Sequence, residues 1–180
     1  MKLSMETFRN SFSQASVAPL VNSHYFHIIP AYFDRAHQSI DIIIFSARYY
    51  RGKSNNPVNK FFDALRRAAA RGVEIRLLMN ANFQNPESIR FNQFIALYFK
   101  QQNFQCALSG KSTRIHSKLI IIDSQTCVIG SHNYSQRASR SNFETSVMVQ
   151  SPSLASHFTD HFNRLWKSRQ LVKGAPLCKT

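Results

Sequence analysis

His116 and Lys118 stand on either side of a single residue in the run RIHSKLIII. On a strand their side chains share one face, and Arg114 has the same parity. A phosphodiester can be cleaved without a metal if a nucleophile attacks phosphorus, a cation stabilises the non-bridging oxygens and an acid protonates the departing oxygen. His116 can serve as nucleophile or acid, and Lys118 supplies a fixed positive charge. Downstream, in Gly130-Ser131-His132-Asn133, Asn133 offers a neutral donor to phosphate oxygens and Ser131 a hydroxyl. Glu144 is the acid best placed to hold the second ring nitrogen of a histidine and stabilise its charged form. His132 alternates with Ser131 and Asn133, so in an extended loop it points away from them and is left out of the catalytic set.

These residues need a frame. Leu119-Ile120-Ile121-Ile122 reads as a strand buried on both faces, turning at Asp123, with residues 127–129 as the returning strand. Upstream, residues 40–45 (IDIIIF) read as a buried central strand that leaves Arg48 at its C-terminal end, where open α/β sheets tend to bind ligands. Helices are expected over 24–38, with Pro30 in the first turn, over 60–71, stopped by Gly72, and over 88–101, capped by Ser88 with Phe91 and Phe94 inward. A last helix is expected over 152–168. Strands are expected over 73–79, 104–108 and 143–149. The strand, helix, strand succession predicts parallel pairing with a right-handed crossover. The fold class is therefore α/β, a central mixed, mostly parallel sheet with helices on both faces. The expected organisation is an N-terminal segment 1–22 with at most one strand near 17–21, one domain over 23–168, and a polar tail 169–180.

Charge narrows the partner. Lys and Arg number 23 against 9 Asp and Glu, a net charge of +14 and a pI near 10.3, which favours a polyanion: nucleic acid or an anionic membrane surface. Arg48, Lys111, Arg114, Arg137 and Arg140 are the candidate phosphate contacts. The loop 49–59 adds Arg51 and Lys53, and Tyr49, Tyr50 and Tyr134 are candidates for stacking on bases. Cys106, Cys127 and Cys178 lack metal-ligand or disulfide spacing. His157 and His161 lie four apart on a helix with no third ligand converging, and neither a metal nor a cofactor is expected. No stretch reaches the ~18 apolar residues of a membrane span. The first twenty residues are too polar for a secretory signal, so the expectation is a soluble, cytoplasmic protein, or a periplasmic or secreted one if a leader has been removed.

The spacing His116-x-Lys118, four residues, Asp123, six residues, Gly130-Ser131-x-Asn133, then Glu144 resembles the signature of the phospholipase D superfamily. The order of the flanking elements extends the resemblance over most of the chain. A single motif in a short basic chain is most similar to the superfamily's bacterial endonucleases and their Zucchini-type relatives, although neither the zinc-binding insert nor the membrane anchor frequent among the latter is visible here. The resemblance implies metal-independent double displacement through a phosphohistidine, with two motifs facing each other across a twofold axis. One motif per chain then implies a homodimer with a composite site. It also implies a structural role for Asp123. The expected substrate is nucleic acid, DNA with RNA as a further candidate. The rival readings are a phospholipid hydrolase or phosphatidyl transferase and an inactive nucleic-acid-binding module.

Overall fold

The structure, a computed structural model, describes residues 15–172 apart from 83, 85 and 111. Lys111 and Cys178 therefore lie outside the described residues. Seven strands form one sheet in the order β1-β7-β6-β5-β2-β3-β4. They are β1 (Ser16–Val21), β2 (Ser39–Ile44), β3 (Glu74–Met79), β4 (Phe104–Leu108), β5 (Lys118–Ile122), β6 (Thr126–Gly130) and β7 (Thr145–Gln150). The helices are α1 (His24–Asp34), α2 (Pro57–Ala70), α3 (Pro86–Lys100), α4 (Gln136–Arg140) and α5 (Pro152–Lys167).

The sheet is mixed but not mostly parallel, which corrects the expectation. Only β2–β3 and β3–β4 run parallel, whereas β2–β5, β5–β6, β6–β7 and β1–β7 are antiparallel. The parallel pairs are those joined through α2 and α3. No helix lies between β4 and β7 except the short α4, and a tight turn can join only antiparallel neighbours. That turn is Ile122 to Gln125, closed by Gln125 N–H donating to the Ile122 carbonyl at 3.0 Å. Asp123 and Ser124 both have φ 52, the left-handed pair that a type I′ hairpin demands.

Strand alternation divides the core into two layers. Ile40, Ile42, Ile44, Leu77, Met79 and Ile120 face α1 to α3, whose Phe26, Phe33, Phe61, Phe62 and Phe99 fill the larger layer. Ile43, Leu78, Leu119, Ile121 and Cys127 face α5, which contributes Ala155, Phe162 and Trp166. Helices thus cover both faces, four on one and one on the other. α2 begins at Pro57, earlier than expected, because Asn56 caps it by accepting from Val58 N–H at 2.9 Å. α5 begins where expected, with Ser151 accepting from Leu154 N–H.

Several local expectations are corrected. α1 stops at Asp34 and carries Pro30 inside it rather than in its first turn. α3 begins at Pro86, so Ser88 is not its cap, and Phe91 is 38% exposed instead of inward. β7 begins at Thr145, not at 143. The continuous apolar reading of β2 overlooked Asp41, which is 3% exposed and holds Arg76 through contacts of 2.6 Å to both carboxylate oxygens. Arg76 also donates to Asn163 and lies over the Phe162 ring, tying the sheet to α5.

Asp123 joins the hairpin to the start of β2. Its carboxylate accepts from the backbone N–H groups of His37, Gln38 and Ser39 at 2.9, 2.8 and 3.0 Å. It closes the α1–β2 connection, in keeping with a structural role.

Candidate active site

The site is built where β2 ends, β5 begins and β6 exits. Antiparallel register sets Lys118 opposite Ile44, so the residues just before β5 lie beside those just after β2. His116 is exposed, while its neighbour Ile115 is buried and anchored by its N–H donating to Asn80 Oδ1 at 2.9 Å. Lys118 Nζ donates to the His116 carbonyl at 2.8 Å and stands 3.4 and 3.5 Å from the two ring nitrogens. The His116 ring packs 4.7 Å from that of Phe45. Lys118 and Arg114 both approach the same Phe45 ring, at 5.3 and 5.8 Å. The His116/Lys118 pair read from the sequence is therefore one cluster on one surface.

The loop after β6 reaches the cluster from the other side. It can leave the sheet there because Gly130 lies against β7: a Cβ on it would collide with Ser146 and the Thr145 carbonyl. Asn133 Oδ1 accepts from Ser46 N–H at 3.2 Å. That bond fixes which end of the amide is which, with Nδ2 as the donor end. Tyr134 N–H donates to the Ser46 carbonyl and Arg48 N–H to the Tyr134 carbonyl, at 3.0 and 2.8 Å. The loop is thus stitched along the end of β2, which places Asn133 against Ser46, next to the Phe45 on which His116 packs.

Ser131 and Glu144 are placed differently from the expectation. The Ser131 hydroxyl accepts from Thr145 N–H at 3.0 Å and donates to the Glu144 carboxylate. The other Glu144 oxygen accepts from Asn142 Nδ2 at 2.9 Å. Within one chain the described hydrogen bonds of the Glu144 carboxylate go to Ser131 and Asn142, not to the His116 ring. Ser131, its only proton committed, orients Glu144. His132 is fully buried, stacked on Tyr25 at 4.3 Å and bonded to Ser146 Oγ and the Asn22 carbonyl at 2.7 and 2.9 Å. It points away from the surface, and because a carbonyl only accepts, Nε2 carries its proton.

Charge tunes the two central groups. The Lys118 ammonium beside it, then partial burial and Arg114, hold the His116 pKa below the ordinary imidazole value. Burial lowers the Lys118 pKa, and the nearby Glu144 carboxylate opposes that shift. A neutral imidazole is the nucleophilic form, so His116 keeps it at lower pH than a free histidine would. The acid limb of kcat/KM is therefore expected below pH ~6.5, the unperturbed histidine value. Arg114→Gln removes a positive charge, makes the imidazolium less costly and should move that limb upward. A pH–rate profile of both proteins on bis(p-nitrophenyl) phosphate checks the direction, and a downward or absent shift contradicts it.

From Ser46 an open groove of about 760 Å³ runs past Arg48, Tyr50, Gln136, Arg137 and Arg140. A shallower depression carries it on to Lys53 between Gln136 and Arg140. Arg48, Arg137 and Arg140, read singly from the sequence, thus line one channel. Arg114 sits at the His116 cluster instead. The ion pairs of the described residues are Arg66–Asp63, Arg67–Asp34 and Arg76–Asp41, so among them no carboxylate pairs directly with Arg48, Arg137 or Arg140. Among the described residues no group of three His, Cys, Asp or Glu side chains gathers to hold a metal ion. Tyr134, considered for base stacking, is buried with its ring 4.5 Å from Phe61.

Sequence reasoning missed three asparagines. Asn92 on α3 donates from Nδ2 to the carbonyls of Phe45 and Asn80 and accepts from Ala47 N–H, all within 3.0 Å. Asn80 passes this on to Ile115, next to His116. Asn22, at φ 51, exchanges backbone and side-chain bonds with Glu144 and accepts from His132. The expected signal was weak: each is a lone polar residue beside an apolar run, as surface asparagines also are.

This sheet, with a His/Lys pair and an asparagine at the ends of its central strands, defines a phospholipase D-like domain. Residues 29–166 match the family described as cardiolipin synthase, PLD-like domain, and the chain belongs to that family. It is 22% identical over 135 residues to a mitochondrial cardiolipin hydrolase of Chlamydomonas reinhardtii, covering 75% of this chain and 54% of that protein. It is 28% identical over 113 residues to a phospholipase D of Rickettsia prowazekii, covering 62% and 50%. The chain thus spans about half the length of the curated relatives it matches. Among solved structures it is similar to Nuc from Salmonella typhimurium, a phospholipase D family member. That match has a TM-score of 0.74 and 21% identity, over 89% of this chain and 100% of that one. No helix among the described residues is long and apolar enough to cross a membrane.

Proposed function

We propose that the protein is a metal-independent endonuclease, cleaving DNA, and RNA as a further candidate, through a phosphohistidine at His116. The observation that carries this reading is the channel lined by Arg48, Arg137 and Arg140, none of them ion-paired among the described residues, which starts at Ser46, next to the Phe45 on which His116 packs. A chain of phosphates repeats its charge along such a channel, whereas a single phosphodiester headgroup would occupy only the cluster itself.

The reaction runs in two displacements. Neutral His116 attacks phosphorus; the P–N bond forms as the P–O bond to the leaving strand breaks. Lys118 and Asn133 Nδ2 hold the non-bridging oxygens, on which negative charge builds. The departing oxygen takes a proton from His116 of a second copy of the chain. That second imidazole, now neutral, removes a proton from water, which attacks phosphorus and releases the first His116. One motif supplies one histidine, so the composite site requires a homodimer. Ser131 and Glu144 act by holding the loop and offsetting the cationic charge.

The phospholipid reading is favoured by the names of the two curated relatives and by Phe143, which is 97% exposed next to Glu144. A substrate panel in EDTA separates the readings: single- and double-stranded DNA, RNA, and vesicles containing phosphatidyl lipids or cardiolipin. Nucleic acid should be cleaved, with affinity falling steeply as salt rises because counterions are released from each phosphate contacted. Hydrolysis of vesicle lipid with no cleavage of any nucleic acid would transfer the site to the lipid reading. A strict metal requirement would remove the phosphohistidine mechanism.

A further inference from the structure

The loop leaving β2 meets α3 in a way that phosphate binding alone does not require. Phe91 and Phe94 lie three apart on α3, about one turn along the helix. Arg48 and Arg51 lie three apart on the loop. Each arginine covers one ring: Arg48 Cζ is 3.6 Å from the centre of Phe91, and Arg51 Cζ is 4.9 Å from that of Phe94. Phe94 in turn stacks on Tyr98 at 5.5 Å and 17°. Phe91 remains 38% exposed, and Arg48 also lines the channel that begins at Ser46.

A guanidinium that stacks on a phenyl ring can offer its second face and its N–H edge to a ligand. It is then ready to stack on a flat ring while its edge binds phosphate. Two such pairs in tandem, next to a channel lined by three arginines, combine aromatic platforms with cations in the manner of single-strand binding surfaces. A duplex keeps its base faces covered, and a lipid headgroup has none to offer.

We propose that Arg48 on Phe91 and Arg51 on Phe94 form a stacking subsite for unpaired nucleobases, which makes the enzyme selective for single strands. This rests on the nucleic-acid reading of the same site. The test uses His116→Ala protein, which binds without cleaving, and fluorescence polarisation with three ligands of equal length: a base-bearing single strand, an abasic strand and a duplex. The base-bearing single strand should bind most tightly. Adding Phe91→Leu should lower its affinity relative to the abasic strand about tenfold, the scale of one lost base stack. Phe91→Trp should restore the ratio. Arg48→Lys keeps the charge but loses the flat face, and should lower the same ratio, so the proposal stays testable if the leucine variant folds poorly. Equal affinity for duplex and single strand, or a ratio that neither substitution moves, overturns the stacking subsite while leaving the nuclease reading in place. Absence of binding to all three ligands, with lipid vesicles hydrolysed by the native enzyme, overturns both.

Discussion

Replacing His116 by alanine is expected to lower turnover of both oligonucleotides and bis(p-nitrophenyl) phosphate by roughly 10⁴- to 10⁶-fold, the scale seen when a nucleophile is removed from a group that acts as a unit. The loss should be chemical and not structural. The His116 ring is exposed, and its polar contacts run to Lys118, which keeps its bond to the residue's carbonyl in any variant. Circular dichroism and mass by light scattering should therefore match those of the native protein. Subunit mixing adds a sharper result. If each composite site needs two histidines, one to attack and one to protonate, a mixed dimer turns over neither strand. Equal amounts of native and His116→Ala subunits, fully exchanged, should then retain about a quarter of the native activity per dimer, because random pairing leaves that fraction of native homodimers. Retention of one half would mean that each chain works alone.

Arg76→Met is expected to destabilise the fold by roughly 3–5 kcal/mol, because it strands a buried carboxylate. For a domain of this size that corresponds to a fall in Tm of roughly 6–20 °C. Asp41 is 3% exposed at the centre of the sheet, and both of its oxygens are taken by the one guanidinium. Burial already pushes its pKa up, with Arg76 pulling it partly back. Without Arg76 the upward pulls of burial and of the Glu74 charge are left unopposed. A raised folded-state pKa means that the folded protein binds more protons than the unfolded chain, so stability falls as pH rises through that value. The deficit of Arg76→Met should accordingly be larger at pH 8 than at pH 5. Asp41→Leu in the same chain should recover much of it, since no uncompensated charge is left. A thermal melt series of the two variants across pH checks both statements, and a deficit independent of pH would contradict the charge argument.

Much of this molecule is written locally. The β-branched runs at 40–44 and 119–122 could only be buried strands, and both are. The turn at Asp123, the amphipathic helix ending at Trp166 and the His116/Lys118 face depend on neighbours a few residues away. Spacing alone therefore disclosed them, together with the family. What stayed hidden depends on residues far apart in the chain. The sheet's antiparallel majority follows from where β5 inserts, beside β2 and not β4. Phe91 has the spacing of a core residue, yet is 38% exposed and meets Arg48 from another element. Asn92, Asn80 and Asn22 look like ordinary surface residues, but each pairs with backbone groups of another element, and Asn92 and Asn80 are fully buried in doing so. Glu144 has the expected position along the chain, but its partner was decided by the loop after β6, which delivers Ser131 to it. Residue type and spacing thus determined the chemistry this protein can attempt. Only the tertiary structure decided which groups hold the reactive ones in place, because buried polar groups must be paired and their partners come from wherever the chain happens to return.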